Sequence, residues 1–153
     1  MSGPGEGDKA PDFELATADG PVRLADFAGK TLVLYFYPKD DTSGCTREAQ
    51  DFTSLSADFA KAGATVIGVS KDTVEKHRKF AAKYDLGVTL GSDPEAAVIE
   101  RYGSWVEKTL YGRQYMGIDR STFLIKDGAV RRIWRKVKVP GHAQQVLEAV
   151  RKA

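Results

Sequence analysis

The chain of 153 residues holds a single cysteine, Cys45, and its neighbours decide what chemistry is open to it. A lone cysteine has no intramolecular disulfide partner, and a cysteine-rich zinc site is excluded. Whatever Cys45 does, it does alone or with a second molecule. It stands where a polar run, Lys39-Asp40-Asp41-Thr42-Ser43-Gly44, gives way to an amphipathic pattern. A thiol at the start of a helix meets the positive end of the peptide dipoles, which favours the nucleophilic thiolate. The competing reading is an inert cysteine packed as a small hydrophobe. The polar groups of Thr42, Ser43, Gly44 and Thr46 around it favour chemistry.

The elements that must hold this sulfur follow from the apolar patterning. Residues 31–37 are nearly all apolar strand formers and read as a central strand buried on both faces, ended by Pro38. Ala49, Phe52, Leu55, Phe59 and Ala62 recur at helical spacing, predicting a helix over about 46–61 with Gly63 as its cap. Residues 65–70 read as a second buried strand. Asp72 is placed to cap a helix running to Tyr84, with His77, Phe80, Ala81 and Tyr84 on one side. A short strand at 88–90 follows, and then Asp93-Pro94-Glu95 opens a short helix to Tyr102. Upstream, 13–15 and 22–24 flank Asp19-Gly20 as a small hairpin. Downstream, 121–125 and 130–139 flank Asp127-Gly128 as a second, and 142–152 closes the chain as a helix. Trp105 and Tyr111 are assigned to the core or a pocket rim. This order predicts a mixed sheet with helices on both faces in one domain spanning 1–153, with a loose, glycine-rich arm at 1–8.

The run from Tyr37-Pro38 to Cys45-Thr46-Arg47-Glu48 resembles the active-site signature of the peroxiredoxins, Pro-x-x-x-Thr-x-x-Cys. It is most similar to the bacterioferritin-comigratory, or Q-type, branch. Gly7 to Phe13, Val69 to Asp72, Arg120 to Ile125 and Trp134 to His142 match that branch in order, so the resemblance covers nearly the whole chain. It implies an α/β, thioredoxin-like fold with an N-terminal extension and thiol-dependent reduction of hydrogen peroxide and organic hydroperoxides. By matching position, Cys45 takes the peroxidatic role and passes through a sulfenic acid. Arg120 stabilises the thiolate and donates to the peroxide, and Thr42 bridges thiolate and substrate. Pro38 shields the sulfur, and Glu48 orients Arg120. Backbone N–H groups at Gly44 and Cys45 join Arg120 and Thr42 in binding substrate.

One departure from the branch matters. Many members carry a resolving cysteine five residues after the first, where this chain has Gln50; others carry it near Phe80-Ala81-Ala82, where there is none. A one-cysteine cycle is therefore expected. An external thiol (thioredoxin, glutaredoxin or a low-molecular-weight thiol) would reduce the sulfenic acid through a mixed disulfide. A non-enzymatic redox sensor or chaperone using the same sulfenic acid is the alternative.

Composition narrows the remaining classes. Hydrophobic residues at 42% and charged residues at 29% describe a globular chain, and 23 basic against 21 acidic side chains give a net charge of +2. That balance argues against nucleic-acid or membrane partners, and the alternating basic residues of 131–138 fit one wet sheet face. No signal peptide or apolar span is visible, so a cytoplasmic monomer or weak homodimer is expected. His77 and His142 lie far apart, without metal-ligand spacing, and each reads as structural or surface. No P-loop or dinucleotide fingerprint occurs, so neither metal nor cofactor is expected.

Overall fold

The computed structural model describes residues 3–153. β1 (Glu14–Leu15) pairs antiparallel with β2 (Val22–Arg23), and a 3-10 turn follows at Leu24–Phe27. β3 (Thr31–Phe36) leads into α1 (Ser43–Ser54), α2 (Ser56–Lys61) and β4 (Ala64–Ser70). Next come α3 (Val74–Tyr84), β5 (Thr89–Ser92) and α4 (Ala97–Arg101). Two hairpins, β6 (Trp105–Leu110) with β7 (Arg113–Ile118) and β8 (Ser121–Lys126) with β9 (Ala129–Trp134), precede α5 (His142–Lys152).

The central sheet has the order β5-β4-β3-β8-β9. β3, β4 and β5 run parallel, joined by helical crossovers, while β8 is antiparallel to β3 and β9 to β8. Every residue of β3 is buried, because successive side chains enter opposite cores. Val33 and Tyr35 pack with Phe52 of α1, Phe59 of α2, Phe80 of α3 and Val146 of α5. Leu32, Leu34 and Phe36 pack with Leu15, Ile99 and Tyr102 on the other side. Tyr35 stacks on Phe52 with ring centroids 4.7 Å apart. Its register partner across the sheet is Gly68, where a Cβ would lie 2.5 Å from the Tyr35 ring. Glycine at that strand position makes room for the ring.

Several boundaries differ from those read in the sequence. The helix expected over 46–61 starts three residues earlier, at Ser43, and breaks at Leu55 into α1 and α2. Thr42 is its N-cap, in extended conformation (φ −103°, ψ 156°), after Asp41 turns the chain at φ 59°. Thr73, not Asp72, caps α3, its hydroxyl accepting from the Lys76 N–H. The helix placed at Pro94 starts only at Ala97; Asp93 still serves it, its carboxylate accepting the Ile99 N–H at 2.8 Å. Strand β9 ends at Trp134 rather than at 139.

The β6–β7 hairpin had no counterpart in the sequence reading. Its strands bury few side chains, so they lack the apolar signature of a core strand. Tyr111, assigned to core or pocket rim, is 95% exposed at the tip, where it and Gly112 both take positive φ. Trp105 is half-buried, with the Lys71 ammonium 4.9 Å from its ring. Of the segment read as a loose arm, residues 1 and 2 lie outside the described residues. Gly7 donates to the Val130 carbonyl (2.7 Å), and Val130 donates back to that of Asp8 (2.8 Å).

Candidate active site

Cys45 is the third residue of α1 and is 2% exposed. The first-turn N–H groups of a helix have no partner within it. Thr42 does not cap them with its side chain; its hydroxyl donates to the Lys39 carbonyl at 2.8 Å and closes the preceding turn. The N–H groups of Gly44 and Cys45 therefore keep their polarity for whatever lies at the helix end.

Arg120 arrives from the junction between β7 and β8. Its carbonyl accepts the Val137 N–H (2.9 Å), and the preceding residue, Asp119, donates its N–H to Ser104 (2.7 Å). The carboxylate of Asp119 accepts the Lys136 N–H at 3.3 Å. From this fixed backbone the guanidinium reaches two groups on one face of α1. Nη1 donates to Glu48 Oε1 at 2.7 Å, and Nη2 donates to Cys45 Sγ at 3.3 Å. Cys45 and Glu48 are one turn apart, which is why a single planar fork spans both. Gly44 makes the approach possible: a Cβ there would stand 3.2 Å from Arg120 Nη2.

Burial sets the protonation of this cluster. Glu48 is 1% exposed, and its Oε2 has no partner. Desolvation pushes its carboxyl up to about 7, against the pull of Arg120. For Arg120, burial works against the charge, but Glu48 and Cys45 reverse that and raise it. His142 at the start of α5 accepts or donates to the Thr122 hydroxyl at 2.7 Å and lies edge-on to Phe52 and Trp134. Burial, then the charge of Arg120, holds it down to about 4, so it is a neutral imidazole near pH 7.

Among the expected site residues, Cys45, Arg120, Glu48 and Gly44 converge. Thr42 and Pro38 lie on the exposed loop before them, and no hydrogen bond joins the Thr42 hydroxyl to Cys45 or Arg120. Sequence reasoning missed the buried network beneath that loop. The Tyr37 hydroxyl donates to Asp40 Oδ1 (2.5 Å), His77 Nδ1 lies 2.6 Å from Asp40 Oδ2, and His77 Nε2 meets the Gly91 carbonyl at 3.1 Å. A carbonyl only accepts, so Nε2 is the donor to Gly91. Asp41 accepts from Lys83 Nζ (2.9 Å) and the Tyr84 hydroxyl (2.5 Å). The loop that delivers Cys45 is thus tied to α3. The only local signal was two aspartates in a polar run; their partners are remote in sequence.

A family model described as the AhpC/TSA family matches residues 6–133. The peroxiredoxin Bcp of Bacillus subtilis is 48% identical over 147 residues, covering 95% of this chain and 94% of that one. A structure of Xanthomonas campestris peroxiredoxin Q superposes with a TM-score of 0.88 at 46% identity, covering 92% of this chain and 90% of the other. A cysteine-to-serine mutant of Xylella fastidiosa PrxQ gives a TM-score of 0.93 at 38% identity, covering 99% and 98%. A further structure, from work on the alkyl peroxide reduction activity of the Xanthomonas campestris bacterioferritin comigratory protein, matches at a TM-score of 0.87. Serine mutants of the peroxiredoxin Q of that organism fall at two cysteines 36 positions apart; the same step from Cys45 reaches Ala81 here. With sequence and thioredoxin-like fold matching over nearly the whole length, the chain belongs to the AhpC/TSA family and is a thiol peroxidase of the peroxiredoxin Bcp type.

Proposed function

We propose that the chain reduces hydrogen peroxide and organic hydroperoxides by a one-cysteine cycle at Cys45, recycled by an external thiol. One observation carries this reading: the sole cysteine is held by Arg120, while Gln50 and Ala81 occupy the positions where a second cysteine would be sought. The Cys45 thiolate attacks one peroxide oxygen, the O–O bond breaks, and the departing alkoxide or hydroxide takes up the proton the thiol gave on ionising. The products are a sulfenic acid and an alcohol or water.

Charge moves from sulfur to the leaving oxygen, so donors aimed at that oxygen lower the barrier. Arg120 Nη2 and the N–H groups of Gly44 and Cys45 are those donors. Thr42, having donated its hydroxyl hydrogen to Lys39, offers lone pairs that accept the peroxide O–H. Glu48 acts through Arg120, fixing its plane by the 2.7 Å contact. Pro38 begins the loop without adding an N–H to it. The regenerating thiol displaces water from the sulfenic acid to give a mixed disulfide, and a second thiol releases Cys45. A reducing, cytoplasmic setting would keep the lone thiol ready.

Mass spectrometry after one equivalent of peroxide tests the cycle. The expected product is one oxygen heavier and monomeric, and it converts to a mixed disulfide on adding thiol. A Cys45–Cys45 linked dimer as the product, or unchanged peroxide consumption by Cys45→Ser, would overturn it.

A further inference from the structure

Beside the loop that carries Cys45 lies a cavity of about 270 Å³ that the peroxidase chemistry above does not use. Lys76, Lys79 and Lys83 of α3 line it with Lys39 of the loop, and the buried ring of Phe80 lies among them. The three helical lysines fall at i, i+3 and i+7, one face of α3. The acidic groups of the cavity are already engaged. Asp40 is held by Tyr37 and His77, Asp41 by Lys83 and Tyr84. Asp72 accepts from the Asp40 N–H (2.8 Å) and the Ser70 hydroxyl (2.7 Å). Lys39, Lys76 and Lys79 are exposed and make no ion pair among the described residues. A concave site with cationic groups left over and an aromatic side chain inside suits a small, flexible molecule bearing carboxylates.

Its position adds the second half. Cys45 lies four positions after Asp41, which is in the cavity wall, a reach of at most about 14 Å. An extended tripeptide spans about 10 Å, so a molecule anchored here by carboxylates brings a thiol close to the sulfur. Cys45 is only 2% exposed, which favours a slim reductant over a protein surface.

We propose that this lysine cavity is the subsite for the reducing substrate, a low-molecular-weight thiol carrying carboxylates. The proposal rests on the one-cysteine cycle and names the class of its reductant. In the step it serves, the thiolate of the bound molecule attacks the sulfenic sulfur of Cys45. An S–S bond forms, the S–O bond breaks, and hydroxide leaves as water with the proton of the thiol. A second thiol then attacks the outer sulfur of the mixed disulfide and frees Cys45.

The test is single-turnover reduction of protein oxidised with one equivalent of peroxide. Glutathione is the anionic probe, 2-mercaptoethanol the neutral one and cysteamine the cationic one, with rates compared per thiolate. Glutathione is expected to react at least tenfold faster than the neutral thiol, and cysteamine slower. Lys76→Glu/Lys79→Glu should cut the glutathione rate about tenfold while sparing 2-mercaptoethanol. Lys76→Arg/Lys79→Arg should keep the preference, and raising salt should erode it. Equal rates for all three thiols, or an equal loss for charged and neutral thiols in the glutamate variant, would overturn the subsite. If instead no thiol forms a mixed disulfide, the one-cysteine cycle itself fails, a separate outcome.

Discussion

Replacing Glu48 with Gln isolates the buried carboxyl behind Arg120. Glutamine keeps an oxygen to accept from Nη1 and has nearly the same shape, but it cannot ionise. In the wild type, burial raises the carboxyl from 4.5 to about 7 on folding. The folded state therefore binds the proton more tightly than the unfolded chain between those values. Its contribution is fully present below pH 4.5 and is lost as pH rises through 7. The difference corresponds to about 3 kcal/mol. Wild type minus Glu48→Gln stability should thus fall by about 3 kcal/mol from pH 4.5 to pH 8. The new amide leaves N–H groups unpaired beside the position of Oε2, which costs about 1–3 kcal/mol at every pH and cancels from that change. Urea unfolding of the reduced proteins across this range reads it directly. Curves that stay parallel would mean that the 2.7 Å contact with Arg120 keeps Glu48 ionised throughout, and burial would not be the dominant influence.

Arg120→Ala should lower the second-order rate constant with hydrogen peroxide about 10²–10³-fold, the usual cost of losing one preorganised donor, in stopped-flow measurements; an unchanged rate constant removes Arg120 from the mechanism. Gly44→Ala should slow the same step about tenfold, because a methyl 3.2 Å from Nη2 displaces the guanidinium from Cys45. The same substitution should leave the fold as stable or up to about 1 kcal/mol more stable, since alanine favours helix, and an unaffected peroxide rate would refute the steric account. His142→Gln should flatten the acid limb of the stability curve. The folded histidine is held down to about 4 against 6.5 unfolded, so its contribution is present above pH 6.5 and is lost as pH falls through 4, about 3 kcal/mol in all. Equal acid limbs in urea unfolding would show that His142 does not carry this linkage.

The sequence made legible what depends on local patterning. Strand β3, whose six residues are all buried, and α5, with Ala143, Val146, Leu147 and Val150 inward, were placed within a residue or so. Period and propensity act within one element, and these elements obey them. The start of α1 was misplaced because Ser43 and Gly44 are poor helix interior residues but suit a first turn, where their N–H groups need no helical partner. The β6–β7 hairpin was invisible because Leu110, Tyr115 and Met116 face outward, so no buried face marks it. At the site, only the resemblance linked Arg120 to Cys45, 75 positions away. The tethering of Asp40 by His77 and of Asp41 by Tyr84 was out of reach entirely, since neither helical nor strand spacing relates those residues.

The two titrating groups around Arg120 have one consequence together. Glu48 is pushed toward its neutral acid and His142 toward its neutral base, both chiefly by burial. As Glu48 takes up its proton, this leaves the guanidinium as the charge that faces Cys45 Sγ across 3.3 Å. A fully ionised Glu48 would compete with the sulfur for the same guanidinium, because both accept from it. A protonated His142 would repel it. Burying these two groups thus does more than fill space. It directs the single positive charge of the site at the sulfur, while the 2.7 Å bond to Oε1, which either form of the carboxyl can accept, keeps that charge in place. Aim and charge are set by different properties of one side chain, which is why glutamine and alanine at position 48 should differ in effect: the first preserves the aim, and the second loses it.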